Sequence, residues 1–198
     1  MASQNVSCLP GLTQVTAIEA FAKRLPTEAG ADVWKVALPA DGSRAAARAA
    51  LGELLGAYLG TDAPPELSAD ANGKPRLAED PGRLAFNLSH SGTLALVAIA
   101  PGDAEVGVDV ELIRPRRDLV RLATRWLPEA DADAVAAASG DGRDAAFYAA
   151  WTRHEARVKC TGAGLSGPPP GPEVEAFQLE VGDGYAAAVA LRGGRGRG

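Results

Sequence analysis

Apolar and polar positions alternate along Asp32–Leu38 (DVWKVAL), which predicts a strand. After the turn residues Pro39–Ser43, Leu51, Leu54, Leu55 and Tyr58 fall at helical spacing. They predict a helix over Arg44–Leu59, with Ser43 placed to cap it and Gly60 to end it. Asp62–Asp80 is rich in proline, glycine and asparagine and predicts a loop. Leu84–Leu88 and Leu94–Ala100 read as two strands joined by a turn at Ser89–Thr93, and Val106, Val108 and Val110 mark one face of a third over Val106–Glu111. Arg117–Trp126 and Glu129–Ser139 predict helices. Asp144–Cys160 predicts the longest one, stopped at Gly162 and Gly164. Past a stiff Pro168–Pro172 linker, Val174–Val181 and Tyr185–Leu191 predict a closing hairpin. Residues 1–31 read as an extension with only a short helix around Ala17–Leu25, and 193–198 (GGRGRG) as a frayed, disordered tail.

This pattern gives a mixed α/β (α+β) fold. The acidic strand falls at the junction between an N-terminal half, 1–104, and a C-terminal half, 105–198. The 198 residues are enough to bury a sizeable core. A composition of 46% hydrophobic and 23% charged residues is that of a soluble globular protein. The net charge of −5 excludes a broadly nucleic-acid-binding surface, which needs strong positive charge. Cys8 and Cys160 stand far apart, which excludes a disulfide framework and a cysteine-based zinc site. The N-terminus has no basic region followed by a long apolar run, and no stretch reaches the ~20 apolar residues of a membrane span. A cytoplasmic protein is expected.

Three short blocks carry candidate chemistry. In Gly107–Glu111 (GVDVE), Asp109 and Glu111 stand two apart on a strand, so both carboxylates leave one face. Such a pair fits either a solvated strand face or a site for a hard cation such as Mg²⁺. In Trp151–Lys159 (WTRHEARVK), Phe147, Trp151, Glu155 and Lys159 share a helix face at i, i+4 spacing. The Glu–Lys pair continues an apolar stripe instead of facing water. Phe86–Gly92 (FNLSHSG) offers Ser89 and His90 in a polar turn.

In their order along the chain, Phe86–Gly92, Gly107–Glu111 and Trp151–Lys159, the blocks resemble the Sfp-type 4'-phosphopantetheinyl transferase family, over about Lys74 to Leu165. The resemblance implies two similar α/β halves related by a pseudo-twofold axis, with coenzyme A between them. It implies transfer of the 4'-phosphopantetheine arm of coenzyme A to a serine of an apo acyl or peptidyl carrier protein, leaving adenosine 3',5'-bisphosphate. Asp109, Glu111 and Glu155 would hold Mg²⁺. Glu155 would act as base, directly or through water, and Lys159 would offset charge on the leaving group. Ser89, His90, Lys74 (in a GKP block), Arg48 and Lys159 would contact coenzyme A. Arg114, Arg116, Arg117, Arg121 and Arg125 form a basic run suited to docking an acidic carrier. A monomer is expected. The carrier's pathway is left open among fatty-acid, polyketide and nonribosomal-peptide systems.

The chain departs from the family pattern twice. His154 stands where a lysine usually precedes the glutamate, so phosphate binding is expected to weaken or to depend on pH. The basic segment that usually grips the 3'-phosphate is reduced to Pro39–Ser43, which leaves either a substitute grip from the N-terminal extension, where Lys23 and Arg24 stand, or a low affinity for coenzyme A. The alternative is therefore a weakened module that binds coenzyme A or a carrier without turnover. An unrelated hydrolase fits less well, because no GxSxG or HExxH block occurs.

Overall fold

The computed structural model describes residues 22–27, 29–164 and 167–193. Among these, two sheets are each built from one β-α-β-β succession. In the first, β2 (Asp32–Ala37) leads into α1 (Arg44–Leu59), a small hairpin of β3 (Leu67–Ala69) and β4 (Pro75–Leu77), then β5 (Leu84–Ser91) and β6 (Leu94–Pro101). With β1 (Ala22–Leu25) added at the edge, the antiparallel order is β1-β2-β6-β5. In the second, β7 (Ala104–Leu112) is followed by α2 (Leu119–Trp126), α3 (Glu129–Ala137) and α4 (Gly140–Thr161), then β8 (Glu175–Gln178) and β9 (Tyr185–Gly193), in the order β7-β9-β8. In both units the first strand pairs with the third and the third with the second. The two halves thus share one strand order.

The alternation along each strand explains the layers. Val33, Leu94, Leu96 and Ala98 of the first sheet pack against Val106, Val108, Val110, Ala187 and Val189 of the second. The outward face of the first sheet, including Trp34, Phe86 and Val97, is covered by Leu51, Leu54 and Leu55 of α1. The outward face of the second carries Ala186, Ala188 and Ala190, small enough to admit α4. Gly107 belongs to this fit: a Cβ there would lie 2.1 Å from the Ala156 carbonyl oxygen. The order is helix, sheet, sheet, helix.

Several expectations are corrected. Ala22–Leu25 is a strand, because pairing with Val33–Val36 outweighs its local helix preference. Arg24 pairs there with the fully buried Asp32, which also accepts from the Tyr58 hydroxyl at 2.6 Å. Ala17–Phe21 lie outside the described residues. The 62–80 loop contains the β3–β4 hairpin, turned by Gly73 at φ +80° and by Asp70, which accepts from the Asn72 and Lys74 amides. Ser89 and His90 are not in a turn, since β5 runs on to Ser91 and only Gly92–Thr93 turn the chain. α4 starts at Gly140, four residues before the expected Asp144, and ends at Gly162 with φ +71°. The Val174–Val181 strand is shorter, Glu175–Gln178. Leu165 and residues 194–198 lie outside the described residues, the latter including all but one of the expected tail. Among the described residues no helix is long and apolar enough to cross a membrane.

Candidate active site

The edges of the two sheets meet along β5 and β7. The amides of Val108, Val110 and Leu112 have no strand partner on this side of β7. Asn87 Oδ1 accepts from the first at 2.9 Å, Ser89 Oγ from the second at 3.3 Å and Ser91 Oγ from the third at 3.1 Å. These side chains come from alternate positions of β5, so the period of one strand is matched by side chains of the other. An edge that would otherwise be unsatisfied is closed without a backbone ladder.

This junction carries Asp109 and Glu111 on the face of β7 turned to α4. Asp109 is only 2% exposed. Its Oδ1 accepts from Lys159 Nζ at 2.6 Å and from Ser89 Oγ at 2.9 Å, while its Oδ2 is buried with no hydrogen-bond partner among the described residues. Glu111 Oε2 accepts from Ser91 Oγ at 2.9 Å. Burial pushes the Glu111 carboxyl above the usual glutamate range, and the neighbouring Asp109 adds to it. Burial does the same for Glu155, with Asp109 and Glu111 adding and Lys159 opposing. The solvated-face reading of Asp109 and Glu111 does not hold: β7 is covered there by a helix.

Among the described residues, no three His, Cys, Asp or Glu side chains stand close enough together to form a ready-made metal cage. The donor chemistry nevertheless fits Mg²⁺. Asp109 raises the proton affinity of both Glu111 and Glu155, and one buried oxygen, Asp109 Oδ2, has no partner among the described residues.

A cleft opens beside this group. Glu155, Lys159, Asn72, Gly73, Asn87 and Leu88 line a cavity of about 290 Å³. A second, of about 630 Å³, shares Gly73, Pro75, Asn87 and Leu88 with it and is bordered by Arg44, Arg48 and His90. His90 points to the α1 side of β5, opposite in direction to Ser89 and Ser91. Arg44, which the sequence reading does not single out, stands one turn before Arg48 at i, i+4 spacing and so shares its helix face.

Two expected ligand contacts are placed differently. Lys74 is 7% exposed, and its ammonium donates to the Cys160 carbonyl at 2.7 Å and the Val106 carbonyl at 2.9 Å. It ties the end of α4 to β7 from the wall of the 290 Å³ cavity, with its ammonium engaged by these two carbonyls. The Ser89 hydroxyl is saturated. Its proton goes to Asp109, and its lone pairs accept from the Val110 amide and from Lys159 at 3.1 Å. No donor is left there for a phosphate oxygen.

His154 lies elsewhere. It lines a separate cavity of about 500 Å³ with Trp126, Asp131, Arg153, Arg157 and Pro170, and does not reach the cleft that Glu155 lines. One position along a helix is a rotation of ~100°, which separates the two. Burial, then Arg157, lowers the His154 pKa. Lys23 and Arg24 are no substitute grip either: β1 lies three strands from β5, ~14 Å across the sheet. Of the basic run, Arg116 and Arg121 pair with Asp118 at 3.0 and 3.5 Å, and Arg125 lies over the Trp126 ring at 5.0 Å. All five arginines are exposed.

Residues 105–192 match the family model described as the 4'-phosphopantetheinyl transferase superfamily. The match covers Asp109, Glu111, Glu155 and Lys159. The 4'-phosphopantetheinyl transferase HetI of Nostoc sp. is 36% identical over 127 residues, 61% of this chain and 52% of its own. The 4'-phosphopantetheinyl transferase AcpT of Salmonella typhimurium is 40% identical over 99 residues, 50% of each chain. The 4'-phosphopantetheinyl transferase psf-1 of Bacillus pumilus is 36% identical over 97 residues, 49% of this chain and 40% of its own. The matched stretch thus spans about half the length of these relatives or less.

Proposed function

We propose that this chain, whose residues 105–192 match the model of the 4'-phosphopantetheinyl transferase superfamily, moves 4'-phosphopantetheine from coenzyme A to a carrier-protein serine. One observation carries this reading. Glu155 and Lys159 line one end of a cleft, with Lys159 bonded to the buried Asp109 of β7, and Arg44, Arg48 and His90 border the other end.

Such a cleft suits an extended ligand with two anionic parts. Arg44, Arg48 and His90 would hold the 3'-phosphate of coenzyme A, in place of the shortened Pro39–Ser43 segment. The pyrophosphate would lie between Asn87 and Lys159. Asp109, Glu111 and Glu155 would hold Mg²⁺, whose contribution is to neutralise and orient the pyrophosphate. Glu155, with its affinity for protons raised by burial, takes the proton of the carrier serine as that oxygen bonds to the β-phosphorus. The bond from that phosphorus to the bridging oxygen breaks, and adenosine 3',5'-bisphosphate departs. Lys159, freed from Asp109, offsets the charge left on the departing oxygen.

Lys74 and Ser89 enter as positioning groups, Lys74 for the end of α4 and Ser89 for Asp109. The exposed Arg114, Arg117 and Arg125 form no ion pair among the described residues and would steer an acidic carrier. A cytoplasmic monomer completes the proposal. The test is chromatography of coenzyme A after incubation with this protein and Mg²⁺. Adenosine 3',5'-bisphosphate should appear only when an apo carrier is present. Release without a carrier would instead indicate a hydrolase.

A further inference from the structure

Ser91 makes the same two bonds to Glu111 that Ser89 makes to Asp109. Each hydroxyl donates to the carboxylate of a β7 residue and accepts from the backbone amide of the residue that follows it in β7. The donor distances are 2.9 Å in both cases. The two serines sit two apart on β5, and the two carboxylates two apart on β7. One motif is therefore repeated in register across the sheet junction.

From this repeat we infer that Ser89 and Ser91 form a double clamp, with Ser91 the positioning residue that fixes the Glu111 carboxylate for a divalent cation. The inference rests on the proposed metal-dependent reading of the site. Its physical content is pre-organisation. A glutamate has three side-chain torsions, and its free carboxylate would lose their freedom on binding a cation. A hydroxyl anchored at its own strand and to the amide of Leu112 removes that freedom in advance. It also occupies one carboxylate oxygen, Oε2, and leaves Oε1 for the cation. Partners of this kind around a metal ligand typically affect affinity by 10- to 100-fold when removed.

Ser91 is the cleaner member to test, because Ser89 also contacts Lys159. Neither hydroxyl needs to touch the substrate for the clamp to act. The sequence block Asn87–Ser91 thereby takes a second meaning: its alternate polar residues are selected by the neighbouring strand, and His90 between them by the cleft.

The test is Mg²⁺ binding to the full-length protein without coenzyme A, by titration calorimetry, for wild type, Ser91→Ala and Ser91→Thr. Ser91→Ala should bind Mg²⁺ about tenfold more weakly or worse. Ser91→Thr, which keeps the hydroxyl, should restore most of the affinity. Coenzyme A binding in EDTA should be the same in all three, and this readout also reports that the variants are folded. Equal Mg²⁺ affinity in wild type and Ser91→Ala would overturn the clamp and leave the transferase reading standing. A wild type that takes up no Mg²⁺ would overturn both.

Discussion

Lys159 Nζ lies 2.6 Å from Asp109 Oδ1, with Asp109 almost wholly buried. The ammonium thus neutralises the carboxylate that a divalent cation would also claim. Lys159→Met should therefore raise Mg²⁺ affinity in the absence of coenzyme A by several-fold, while lowering kcat. Calorimetry of the two proteins checks this, and weaker Mg²⁺ binding by Lys159→Met would show that the lysine does not compete with the metal.

Glu111 and Glu155 have folded-state pKa values raised by burial and by Asp109. The folded protein then holds protons that the unfolded chain releases near pH ~4.3, so stability falls as pH rises from there through the raised values. Glu111→Gln removes one such group. In EDTA at neutral pH its Tm should exceed that of wild type, by about 2–4 °C for each kcal/mol of repulsion relieved. Below the unfolded value the two should converge. Adding Mg²⁺ should stabilise wild type and leave Glu111→Gln little changed. Thermal melts across pH, with and without the ion, read both effects.

Arg44 and Arg48 border the cavity with His90. A charge-assisted hydrogen bond contributes ~1.5–3 kcal/mol, equivalent to tenfold or more in affinity. Arg48→Ala should raise the KM for coenzyme A by about that factor and leave the KM for dephospho-coenzyme A unchanged. An equal effect on both substrates would remove the 3'-phosphate from this end of the cleft.

His154 faces Asp131, Arg153 and Arg157 in a cavity of its own. His154→Lys should leave the KM for coenzyme A within twofold of wild type. It should lower Tm, because a permanent cation is added beside Arg157 at a half-buried position. A fall in KM would return this side chain to the phosphate site.

The periods of the chain made Asp109 with Glu111, and Glu155 with Lys159, legible as shared faces. Each pair depends only on local strand or helix geometry. Ser89, Ser91 and Lys74 were not legible in the same way. Their partners lie 20 or more positions away and are set by how two sheet edges approach. A polar strand residue with a distant partner looks, in sequence, like a turn, and for that reason the alternation predicts a strand only to Leu88 where β5 runs on to Ser91. Likewise β1 exists through its pairing with β2, and four residues carry no period that could reveal it. His154 shows the converse limit. A block resemblance fixes its place in the order of residues, but the side of the helix it occupies follows from packing.

The most direct measurement is the intact mass of an apo carrier protein after incubation with this protein, coenzyme A and Mg²⁺. A gain of one phosphopantetheine is expected, absent with EDTA, with Glu155→Gln, or with a carrier whose acceptor serine is alanine. No gain on fatty-acid, polyketide or nonribosomal-peptide carriers, despite measurable coenzyme A binding, would contradict the transferase and leave a module that binds coenzyme A without turnover.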